Sequence, residues 1–201
     1  MLELLVLPIA YLLGAIPFGY LLVKWKTGGD VRTAGSGNIG ATNVLRTTGR
    51  AAGVATLLLD IAKGYLAVWI AGKLTGQSTF WMSAAVLAVM AGHAYPLFLR
   101  FRGGKAVATF AGAFLRLTPL AVAAALLVFV VAVAWTRYIS LGSIIAAATF
   151  PLAVWLLLQP PLPLILAALV ASAFVIYKHS VNIERLRAGS EHRFIFGGGK
   201  T

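Results

Sequence analysis

Six stretches of the chain, near residues 2–23, 51–72, 79–99, 119–137, 141–158 and 162–178, are apolar over close to the length a helix needs to cross a bilayer. Hydrocarbon offers no hydrogen bonds, so each run must satisfy its backbone internally and folds as a helix. Of the 201 residues 60% are hydrophobic, above the roughly 45–50% apolar share of soluble domains. The expected fold class is an all-α polytopic integral membrane protein, with residues 1–201 forming a single domain. Met1-Leu2-Glu3 puts no positive charge ahead of the first run, which is expected to be a retained span rather than a cleaved signal.

A shorter apolar segment near 104–117 decides the topology. If it spans, there are about seven transmembrane helices and the termini lie on opposite sides; if it is re-entrant, there are six and the termini share a side. The excess of basic residues in cytoplasmic loops arbitrates. With seven spans and the N-terminus outside, one face collects 14 of the 17 Lys and Arg residues: Lys24, Lys26, Arg32, Arg46, Arg50, Arg100, Arg102, Lys105, Arg137, Lys178, Arg185, Arg187, Arg193 and Lys200. Lys73 and Arg116 stay on the other face. A six-span chain would send its basic tail outside, so seven spans and a cytoplasmic C-terminus are expected.

The same distribution explains a net charge of +12 without nucleic acid, which would call for a soluble basic face with exposed aromatics. The chain has no Cys and five Asp and Glu residues. Disulfides, thiolate metal sites and thioester-forming nucleophiles are therefore excluded. Neither a metal nor another cofactor is expected.

Three polar clusters fall on the cytoplasmic side of the seven-span arrangement. In the first, Gly35-Ser36-Gly37-Asn38-Ile39-Gly40-Ala41-Thr42-Asn43, glycines free the backbone to aim N–H groups at an anion, and Arg46 adds a planar fork for phosphate. Ala34 and Asn38 occupy the positions where a nucleophile elbow needs Gly, so Ser36 is a donor or anchor rather than an acyl-enzyme nucleophile. In the second, Gly103-Gly104-Lys105 is expected to open a helix, bringing together free N–H groups, a helix dipole and an ammonium. His93, upstream, has Leu97 where an acyltransferase His-Asp dyad needs Asp, and is expected to cap or bridge helices. In the third, His179 and Asn182 share a helix face, with Glu191 available to orient them or to pair with a basic group. Asp60 and Lys63, three apart within a span, read as a structural pair. The terminal Gly197-Gly198-Gly199-Lys200-Thr201 imitates part of a P-loop, but Phe194 replaces its first Gly, and it is set aside.

Taken in order, GSGNIGATNVLR, GHAYPLFLRFRGGKAVAT and KHSVNIERLRAGSE resemble, over the whole chain, the bacterial acyl-phosphate-dependent glycerol-3-phosphate acyltransferases of the PlsY family. The resemblance implies transfer of a fatty acyl group from acyl phosphate to the 1-position of sn-glycerol 3-phosphate at the bacterial inner membrane, the first step of phospholipid synthesis. It implies catalytic roles for Ser36, Arg46, Lys105, His179 and Asn182. Substrate or phosphate contacts would fall to Gly35, Gly37, Asn38, Thr42, Asn43, Gly103, Gly104 and Glu191. Lys178 stands where Arg is more usual, and His192 and Arg193 follow Glu191; both departures keep charge nearby.

The chemistry agrees with the resemblance. Both substrates carry phosphate, and an acyl phosphate has a good leaving group, so orientation and charge stabilisation matter more than a strong base. The competing reading, a transporter of organic phosphates, calls for inverted repeats and polar groups at mid-membrane. Neither pattern is found in the sequence.

Overall fold

A computed structural model of the chain describes residues 2–194, and all of its regular structure is helical. The Gly197–Thr201 segment and Lys200 lie outside the described residues. The chain divides into two compact units, Met1–Leu117 and Thr118–Thr201.

The first unit holds α1 (Val6–Ala15), α2 (Phe18–Thr27), α3 (Ala41–Thr48), α4 (Arg50–Leu74), α5 (Thr79–Ala94) and α6 (Val107–Leu117). The first apolar run is broken at Ile16-Pro17, because proline pushes the residue before it out of the helical region; Ile16 is extended at φ −65° and ψ 113°. At the end of α2, Gly28 takes the left-handed conformation (φ +70°) that closes a helix.

Two pairs of glycines set the helix spacing. A Cβ on Gly14 of α1 would strike the Val89 carbonyl of α5, and one on Gly92 of α5 would strike the Tyr11 carbonyl of α1. Gly64 of α4 and Gly112 of α6 meet the Thr109 and Ile61 carbonyls in the same reciprocal way. Small residues let membrane helices approach backbone to backbone, where dispersion replaces the missing hydrophobic drive.

The second unit holds α7 (Pro119–Thr136), α8 (Ile139–Leu158), α9 (Leu162–Tyr177) and α10 (Ser180–Arg187), with α7 packed on α8 and α8 on α9. Arg137 and Gln159, at φ +64° and +45°, end α7 and α8 and reverse the chain. The outer face of α7 is apolar and uncovered, through Leu126, Leu127, Val130 and Val131, as befits a helix whose solvent is lipid.

Five helical segments among the described residues are long and apolar enough to cross a membrane: Leu2–Thr27, Arg50–Leu74, Thr79–Leu99, Pro119–Thr136 and Ile139–Leu158. A sixth counts if Leu162–Tyr177 and Ser180–Arg187, bent by 53°, act as one span. The segment expected at 104–117 is helical only over the 11 residues of α6, about 16 Å at 1.5 Å per residue. That is about half of a ~30 Å hydrocarbon core.

Candidate active site

The first cluster is a loop built around one buried amide. Asn43, 2% exposed in the first turn of α3, accepts the Ser36 N–H through Oδ1 at 2.9 Å. Its Nδ2 donates to the carbonyls of Val31 (3.3 Å), Ala34 (3.1 Å) and Asn38 (2.8 Å). Asn38 Oδ1 accepts the Gly40 N–H at 2.8 Å, and the Gly37 N–H donates to the Ala34 carbonyl at 3.1 Å. Gly35 and Gly37 take φ +60° and +71°, and a Cβ on Gly35 would strike Asn43 Oδ1.

These contacts engage part of the expected anion nest: the N–H groups of Ser36, Gly37 and Gly40 serve the loop's own acceptors, and Gly35, Gly37, Asn38 and Asn43 shape the loop. What the loop presents outward is the Ser36 side chain, and in the last turn of α3 the exposed Arg46 guanidinium, which has no partner among the described residues. Thr42 is half-buried. Arg32, by contrast, is engaged: it forks onto Asp30 (2.6 Å) and lies 5.2 Å from the centre of the Tyr20 ring. The hydrogen bond from Arg32 also holds the Asp30 carboxyl below the ordinary carboxylate range.

Asn43→Ala should therefore cost about 1–3 kcal/mol by stripping a buried network of its centre. Limited proteolysis should cut the 31–40 loop faster than in the parent. An unchanged cleavage rate would show that the loop holds itself.

The second cluster packs against the first through a shared apolar core. Leu99, in the turn after Pro96, is buried with Val23, Val31, Ile39, Val44 and Ala52. The chain then doubles back: the Gly103 N–H donates to the Ala94 carbonyl (3.2 Å) and the Gly104 N–H to the His93 carbonyl (3.1 Å). The expectation that Gly103-Gly104-Lys105 opens a helix with free N–H groups is thus corrected. Those two N–H groups are consumed, and α6 begins at Val107. The glycines are needed because a Cβ on Gly103 would meet the His93 carbonyl and Pro96, and one on Gly104 would meet the His93 ring. Lys105 is half-buried between them and the helix.

Beneath this turn lies a buried polar network. Asp60 and Lys63 pair at 2.8 Å, and Lys63 Nζ also donates to the Ile16 carbonyl at the α1–α2 break (2.9 Å). His93 Nδ1 is 3.6 Å from Asp60 Oδ1 and 3.2 Å from Thr109 Oγ1. The structural pair and a bridging role for His93 were legible in the sequence; the participation of Thr109 was not.

The third cluster belongs to the second unit. His179 sits at the bend between α9 and α10, 2% exposed, with Nδ1 2.8 Å from the Val175 carbonyl. A carbonyl only accepts, so Nδ1 carries the proton and the basic lone pair of the neutral ring lies on Nε2. Asn182 Nδ2 and Ser140 Oγ each donate to Glu191 Oε1 at 2.8 Å. Glu191 thus forms no ion pair among the described residues; it orients Asn182 and ties the start of α8 to the segment beyond α10. Ser140, one of three hydroxyls in an apolar helix and 51 residues from Glu191, gave no sequence signal.

Helices long and apolar enough to cross a bilayer, with an exposed guanidinium, a lysine at a tight turn and a histidine at a helix bend, define an integral membrane protein with polar clusters near its helix ends. The chain belongs to the glycerol-3-phosphate acyltransferase family, whose pattern matches residues 4–189. It is 53% identical over 192 residues to the glycerol-3-phosphate acyltransferase of Geobacter sulfurreducens, covering 96% of this chain and 97% of that one. It is 54% identical over 194 residues to that of Geobacter metallireducens, covering 96% and 98%. Among solved structures it resembles PlsY (YgiH), an integral membrane glycerol 3-phosphate acyltransferase, in its glycerol 3-phosphate form, with TM-score 0.91, 40% identity and 96% of each chain covered. The lysophosphatidic acid form of PlsY matches at TM-score 0.88 and 39% identity, over 96% of this chain and 95% of that one.

Proposed function

We propose that this chain transfers a fatty acyl group from acyl phosphate to the 1-position of sn-glycerol 3-phosphate, giving 1-acylglycerol 3-phosphate and inorganic phosphate. The observation that carries this reading is the likeness, along almost the whole chain, to an acyltransferase solved with the acceptor and with the acylated product. Residues 1–201 act as one catalytic domain; the family match runs through both units.

Transfer is direct. The glycerol hydroxyl oxygen bonds to the acyl carbon as the bond from that carbon to the phosphate oxygen breaks. The hydroxyl proton passes to His179 Nε2 or to the departing phosphate. Arg46 and Lys105 hold phosphate charge, while Ser36 and Asn182, the latter aimed by Glu191, orient the substrates or the developing oxyanion. The acyl chain lies in the bilayer between helices.

Acyl phosphate should support turnover by the detergent-purified protein, whereas acyl-CoA and acyl carrier protein thioesters of equal chain length should not. A thioester brings no phosphate beside its carbonyl to anchor it within attack distance. Equal or faster rates from either thioester would overturn the donor assignment.

The site faces the cytoplasm of the bacterial inner membrane, with seven crossings and the N-terminus outside. The short α6 makes the remaining crossing, and residues 102–106 lie at its cytoplasmic end, where Gly104 and Ala106 are buried in protein. Since the chain has no Cys, single cysteines report topology cleanly. A cysteine near Glu191 labelled only from outside the cell would overturn this arrangement.

A further inference from the structure

We propose that His93 is a positioning residue for Lys105, its imidazole forming the floor on which the Gly103-Gly104-Lys105 turn is laid. The inference rests on the reading of Lys105 as a phosphate-holding group. His93, 3% exposed near the end of α5, meets three elements. Its Nδ1 faces Asp60 of α4 and Thr109 of α6, its carbonyl takes the Gly104 N–H, and its Nε2 edge fills the space where a side chain on residue 104 would begin. The backbone one residue before Lys105 is therefore clamped from two directions by one residue, once by hydrogen bond and once by contact.

The residue after Lys105 is equally constrained. Ala106 is 1% exposed and holds φ +60°, a region an L-residue enters only when its surroundings dictate it. Its carbonyl accepts the Phe110 N–H at 2.7 Å as α6 begins. Lys105 thus hangs between a glycine seated on His93 and a strained alanine seated on α6. A long, rotamer-rich side chain gains aim from a fixed base, and a shift of about 1 Å in such a base can cost a hundred-fold in rate.

A histidine that merely fills the core would lower stability and leave the phosphate contacts alone. The test is a set of full-length, detergent-purified variants assayed for kcat and for KM toward acyl phosphate and glycerol 3-phosphate. Lys105→Ala should raise one of the two KM values. His93→Ala should raise the same one at least ten-fold, and the double variant should be no worse than Lys105→Ala alone, because His93 acts through Lys105. Thr109→Val, which removes a hydroxyl partner of the ring while keeping the shape, should raise that KM in the same direction, and Thr109→Ser should restore it. These two variants carry the test if His93→Ala does not fold. Should Lys105→Ala raise a KM while His93→Ala and Thr109→Val leave it untouched, or should the His93 effect add in full to that of Lys105→Ala, the inference is overturned. Normal KM values for both substrates in Lys105→Ala would overturn the reading beneath it, and the inference with it.

Discussion

Asp60→Asn is expected to lower the stability of the purified protein by about 3–5 kcal/mol, the range found when one member of a buried ion pair is removed. Asp60 and Lys63 are 2% and 3% exposed, and their 2.8 Å contact lies within a span. The near-isosteric amide keeps the shape and an acceptor oxygen but deletes the charge, leaving the Lys63 ammonium buried without a counter-charge, held only by neutral oxygens such as the Ile16 carbonyl. Thermal unfolding in detergent measures the loss. Adding Lys63→Met should recover part of it, since no lone charge remains, but not all, because the carbonyl at the α1–α2 break then loses its lysine donor. An unfolding temperature unchanged in the single variant would mean that the pair contributes nothing to the fold.

Arg46→Lys is expected to cut kcat/KM roughly ten- to a hundred-fold, corresponding to about 1.5–3 kcal/mol, although charge is conserved. Arg46 is exposed and unpaired among the described residues, so its guanidinium has no structural partner to lose. Lysine keeps the positive charge but lacks the planar fork that holds two phosphate oxygens at once. Stability should be unaltered, which separates this variant from Asp60→Asn. Near-normal kinetics in a protein of unchanged stability would reduce Arg46 to a topological charge.

The sequence made the helical class, the membrane setting and the three polar clusters legible, because each depends on residue types in runs. It could not say who pairs with whom. An asparagine in a glycine-rich loop has the same donors and acceptors whether it faces a phosphate or three carbonyls of its own loop, and Asn43 does the second. Gly103 and Gly104 announce a tight turn in either case; only the fold reveals that their N–H groups return to α5 and that the glycines make room for His93. The helix near 104–117 opens late for the same reason, its first residues being committed to that turn. Ser140 and Glu191 lie 51 positions apart, and no local pattern joins them.

The facing glycines also set the paths by which this protein can recover from damage. A side chain introduced at Gly14, Gly92, Gly64 or Gly112 runs into a main-chain carbonyl. No change in side chain on the opposite helix can take that oxygen away. Gly104 is different, since its obstacle is the ring of His93, and shortening that ring opens the space. Selections for second-site suppressors should therefore divide the glycines into two groups. Lesions where helix backbones touch would return almost only by true reversion, while a lesion at Gly104 could regain its packing, though not its KM, through a smaller residue at position 93. The membrane interior of this enzyme is in that sense evolutionarily stiffer than the turn that carries its lysine.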